Sequence, residues 1–102
     1  MLLFKNMKPA ERISVFVKLG KAIQDLNPEE KDELLWRAEN NNNWFTKASV
    51  ESALDGISIM LSKEKLDAWL SIYELKEVEN PQSIGLMMAG NIPAVGFHDM
   101  MC

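Results

Sequence analysis

The run Ser83 to Ala89, SIGLMMA, followed by Gly90-Asn91 and then Pro93, restricts the fold more than any other stretch. Ile84, Leu86, Met87, Met88 and Ala89 show no alternation of apolar and polar positions. A strand formed here is apolar on both faces, and such strands belong in parallel sheets covered by helices on both sides. Gly90-Asn91 supplies a tight break, and Pro93 is pre-set for a first helical turn. The expected local unit is a buried strand at 83–89 turning sharply into a helix. No other stretch of the 102 residues reads as a comparable strand. A lone buried strand would leave backbone amides unpaired, which is costly. The expectation is therefore an α/β protein of which this chain is the front end, the fragment itself being mostly α.

Ahead of that run the pattern is helical. Residues 9–25 open on Pro9 and place Ile13, Phe16, Val17 and Ile23 mostly on one face. Gly20 falls on or near that face, where its missing side chain suits close packing with a neighbouring helix. Asn27-Pro28-Glu29-Glu30 announces a second helix: Asn27 caps, Pro28 fits the first position, and the acids favour the positive end of the helix dipole. It should reach Ala38 or Glu39, bury Leu34 and Leu35 with Trp36 as a further candidate, and stop in Asn40 to Asn43.

Thr46 is the expected cap of a third helix over 47–60, with Phe45 and Val50 placed as a hydrophobic staple. Val50, Ala53, Leu54, Ile57 and Leu61 recur at spacings of three and four. Ser62 caps a fourth helix striped by Leu66, Trp69, Leu70 and Tyr73 and ending near Glu74. A polar, acidic connection from Leu75 to Gln82 follows. The expected organisation is a helical region at 1–82 and the start of a second domain at 83–102.

Composition excludes several classes of function. Fifteen acidic and eleven basic residues give a net charge of −4 without a Lys/Arg cluster, which argues against a nucleic-acid partner held electrostatically. No run approaches the roughly 18 apolar residues of a transmembrane helix. One cysteine, Cys102, permits no internal disulfide and suits a reducing compartment. The expected location is the cytoplasm.

The usual chemical constellations are absent. A single histidine rules out a His pair, and Gly85, Gly90 and Gly96, spaced five and six apart, fit neither phosphate-binding fingerprint. Glu29, Glu30, Asp32 and Glu33 read as a solvated helix start, and no metal site is expected. Cys102 and His98 share a helical spacing, but Cys102 reads as a packing residue rather than a nucleophile. Asn91 is the candidate that stands out. It sits in the break beyond the carboxyl end of the expected strand, where α/β sheets bind ligands and helix N-termini offer free N–H groups to anionic oxygens. Its plainer role is to cap the helix.

The segment Met88-Ala-Gly-Asn-Ile-Pro-Ala-Val-Gly-Phe-His-Asp99 resembles the AGNIP-x-VGFHD segment of bacterial acyl-CoA reductases, the LuxC-like branch of the aldehyde dehydrogenase superfamily. Looser likeness runs upstream through Arg12–Gly20, Asn43–Thr46 and Trp69-Leu70. The resemblance implies a parallel-sheet dinucleotide-binding domain beginning at 83–102. It also implies NADPH-dependent reduction of an acyl-CoA thioester to an aldehyde through an acyl-cysteine intermediate, the cysteine lying in a different domain far downstream. Gly90-Asn91-Ile92-Pro93 is similar to the W-N-F-P segment of the wider superfamily, with Gly90 in place of the Trp. That likeness makes Asn91 the oxyanion donor and sets Ala89 and Gly90 along the cofactor. Acyl-CoA and the remainder of the polypeptide are the partners implied, self-association is left open, and the fragment alone should be inactive.

A rival expectation comes from a different class of function. Seven methionines, four of them between 87 and 101, suit an adaptable docking surface. On that reading the chain is a free-standing helical interaction module with an apolar tail from Ile84 to Met101.

Overall fold

Hydrophobic spacing and capping residues set the helices, and all four expected ones are present. The computed structural model describes residues 7–74, 76, 79–80 and 82–89. Within them run α1 (Pro9–Gln24), α2 (Pro28–Asn41), α3 (Lys47–Met60) and α4 (Lys63–Leu70).

Each start has a local cause. At α1 the Glu11 carboxylate accepts from the Lys8 backbone N–H at 2.8 Å, ahead of Pro9 at the first position. The Asn27 side chain accepts from the Glu30 N–H at 2.8 Å and begins α2, with Pro28 next. Thr46 Oγ1 accepts from the Ser49 N–H at 3.3 Å, and Ser62 Oγ from the Lys65 N–H at 3.4 Å. These contacts satisfy amides that the first turn of a helix leaves without partners.

Two ends differ from expectation. Helix α2 runs on to Asn41, past Glu39. The Asn40 and Asn41 side-chain amides donate to the Trp36 and Arg37 carbonyls at 2.7 and 2.8 Å. These extra donors to the last turn offset asparagine's weak preference for helix. Helix α4 stops at Leu70, short of Glu74. There the Ser71 hydroxyl donates to the Ala68 carbonyl at 2.7 Å, and the Tyr73 N–H bonds back only three residues, to Leu70. A side chain that competes for backbone carbonyls closes the helix.

The chain divides into two compact units. In one, α1 packs on α4, and Gly20, Ile57, Ser58, Leu61 and Leu66 are buried. Gly20 is glycine for a steric reason: a Cβ there would lie 2.6 Å from the Leu61 Cβ. The face Ile13, Phe16, Val17 and Ile23 is half-buried. Trp69 and Tyr73 meet edge to face with ring centroids 6.1 Å apart.

The other unit contains α2, α3 as far as Gly56, and residues 82–89. Leu35 and Val50 are its buried apolar residues. Leu34 and Trp36, expected inside, are exposed, Trp36 at 56%. Leu35 occupies the inward position of that triplet, and one helix face cannot bury three consecutive residues.

The strand expected at 83–89 is not formed. Residues 82–89 have no regular secondary structure and are exposed, Ile84 at 83% and Met87 completely. Among the described residues there is no strand at all. A ladder needs a partner strand, and the described residues supply none. What the chain shows here is a helical region with an irregular apolar segment after it.

Candidate functional site

Of the three residues expected to form the site, only Ala89 falls within the described residues. It is exposed, at the end of the irregular segment 82–89. Gly90 and Asn91 lie outside the described residues, as do His98, Asp99 and Cys102. The segment leading to them presents Ile84, Leu86, Met87 and Met88 to solvent. Four exposed apolar residues thus fall within five positions of the chain.

The charged side chains are organised elsewhere, between α2 and α3. Lys31 pairs with Glu51 at 2.7 Å, and Lys47 with Asp32 at 2.9 Å. The hydrogen bond to Glu51 raises the Lys31 pKa above its ordinary value of 10.5, and the negative charges of Glu51 and Asp55 add to the effect. Glu33 pairs with Arg37 along α2, and Lys63 with Asp67 along α4. Asp32 and Glu33 of the acidic helix start are thus occupied by cations. Among the described residues no group of three His, Cys, Asp or Glu side chains is placed to hold a metal ion.

These cross-helix pairs were not legible beforehand. Lys31 and Glu51 are twenty positions apart in the sequence, and nothing local marks them as partners. Helical spacing puts Lys31 and Asp32 on the Leu35 face of α2 and Lys47 on the Val50 face of α3, but it does not say that the two faces meet.

Trp44 is the most exposed tryptophan, at 80%. It sits in a turn where Asn42 Oδ1 accepts from its backbone N–H at 3.0 Å. The neighbouring Asn40 and Asn41 amides are used in capping α2, so this loop assembles no converging set of donors. No helix among the described residues is long and apolar enough to cross a membrane.

Comparison with models of known families, with curated proteins and with solved structures finds no match.

Proposed function

We propose that this chain is the N-terminal portion of an NADPH-dependent, LuxC-like acyl-CoA reductase of the cytoplasm. The observation that carries the reading is the segment Met88–Asp99, MAGNIPAVGFHD, a dozen residues dense in the motif of that family. On this reading the helices at 9–70 precede an α/β dinucleotide-binding domain that begins at 83–102. Asn91 donates its side-chain amide to the oxyanion that develops when the acyl thioester is attacked. Ala89 and Gly90 lie along the cofactor, and the small, exposed Ala89 side chain suits close approach of a dinucleotide to the backbone. NADPH, when bound, supplies the hydride, and the acyl-accepting cysteine comes from outside these 102 residues.

The test uses the polypeptide as the cell makes it, with acyl-CoA and NADPH supplied and aldehyde followed. Asn91→Ala should lower kcat by ~10²–10³ while leaving cofactor affinity nearly intact, the usual loss on removing one such donor. If Asn91 only caps a helix, the change should cost about 1 kcal/mol of stability and little rate. A fall in melting temperature at unchanged kcat would end the oxyanion role. Failure to form aldehyde from any acyl-CoA would end the reductase reading.

A second reading is favoured by the exposure of Ile84, Leu86, Met87 and Met88: a helical interaction module whose apolar segment docks on a partner. Methionine suits such a surface because its unbranched, polarisable side chain adapts to irregular contacts.

A further inference from the structure

The methionines among the described residues differ sharply in exposure. Met7 is half-buried and Met60, in α3, is 37% exposed, whereas Met88 stands at 46% and Met87 is completely open. Gly85, two positions before Met87, is also in open space, since a Cβ built there meets nothing within 4 Å. From Asn80 to His98 the chain holds no Asp, Glu, Lys or Arg. The apolar surface at 84–88 is therefore made by Ile84, Leu86, Met87 and Met88. Of these four, only the methionines carry a thioether sulfur, the group that mild oxidants attack. Addition of one oxygen turns that flexible apolar side chain into a polar, chiral one, and it disrupts surfaces that rely on methionine.

We propose that Met87, with Met88 beside it, is a site of reversible oxidation to the sulfoxide that removes the apolar character of this segment. The inference rests on the second reading above, in which the segment docks on a partner. The oxidant is hydrogen peroxide. A lone pair of the thioether sulfur attacks one peroxide oxygen, and an S–O bond forms as the O–O bond breaks. The departing hydroxide takes the proton of the transferred hydroxyl and leaves as water. Sulfur is oxidised by two electrons and peroxide is reduced by two. A thiol-dependent sulfoxide reductase reverses the step, two thiols becoming a disulfide as the oxygen leaves as water. The exposure of Met87 serves both directions, since it admits the small oxidant and the reductase alike. Neither methionine belongs to the buried set Leu35, Val50, Ile57, Leu61 and Leu66, so the cycle leaves the core untouched.

The test treats the polypeptide as the cell makes it with hydrogen peroxide and maps sulfoxide by peptide mass. Sulfoxide should form at Met87 about threefold faster than at Met60, in proportion to exposures of 101% and 37%. Retention on a phenyl matrix is measured alongside, in the parent and in Met87→Leu/Met88→Leu. That double change conserves volume and apolar character and keeps the other methionines in place. Peroxide should cut the retention of the parent and spare that of the variant, and a sulfoxide reductase with a thiol reductant should restore it. Equal oxidation at Met87 and Met60, or equal loss of retention in parent and variant, would overturn the proposal and leave the docking reading standing. A parent that is not retained before oxidation would overturn the docking reading, and the proposal with it.

Discussion

The two units are held by different forces. Around α1 and α4 the contacts are apolar and close: Leu61 is completely buried, Leu66 nearly so, and α1 comes near enough to Leu61 that only glycine fits at position 20. Between α2 and α3 the buried apolar residues are Leu35 and Val50, and two cross-helix ion pairs stand beside them. Apolar burial is worth about 25 cal/mol per Å² and is indifferent to pH. Exposed ion pairs contribute ~0–1 kcal/mol and are screened by salt. The first unit should therefore owe its stability to apolar burial, whereas in the second charge adds a pH-sensitive component.

The most costly single change should lie at the contact between α1 and Leu61. Leu61→Ala removes a completely buried side chain from a site crowded by Gly20, where the surroundings have little freedom to collapse. Its cost should fall in the upper half of the ~2–5 kcal/mol range for such truncations, and Leu35→Ala in the lower half. Urea denaturation of both variants checks the order. A larger loss at Leu35 than at Leu61 would reverse the comparison.

Gly20→Ala sharpens the same point from the other direction. Alanine favours helix over glycine by about 1 kcal/mol, but the new Cβ would sit 2.6 Å from the Leu61 Cβ, an atom fixed to the backbone. Overpacking of this kind costs ~1–3 kcal/mol, so the net change should be a loss on the order of 1 kcal/mol. A rise in the thermal midpoint would show that α1 and Leu61 separate easily, and the close contact would lose its importance.

Most of the helical part was legible because its causes are local. Asn27-Pro28, Thr46 and Ser62 act within three residues of themselves, and each starts a helix where the sequence placed it. Gly20 on the apolar face of α1 pointed to a close approach, and Leu61 provides it. Burial within α2 was less legible: Leu34, Leu35 and Trp36 are alike in hydrophobicity, and tertiary packing chose Leu35 alone. The segment 84–89 shows the limit most clearly. Its unbroken apolar character states a need for cover on both sides, but a strand also needs neighbours for its amides, and sequence pattern does not say who supplies them. Of the candidate site, Ala89 is placed and exposed, whereas Gly90 and Asn91 lie outside the described residues.

The smallest effect concerns the Lys31–Glu51 pair. Hydrogen bonding to Glu51 raises the Lys31 pKa above its ordinary 10.5, with Asp55 contributing. A group whose pKa is higher in the folded chain binds its proton more tightly there. Its contribution to stability is complete below the unfolded value and is lost as pH rises through the folded one. The window is therefore alkaline, opening near the ordinary value of 10.5. Urea midpoints measured across that range should fall more steeply in the parent than in Glu51→Gln, which keeps the shape and removes the charge. Added salt should reduce the difference, because the Lys31 and Glu51 side chains are 32% and 48% exposed and so open to screening. Equal slopes in the two proteins would mean that this pair adds nothing to stability, leaving Lys47–Asp32 as the cross-helix ion pair that could still contribute.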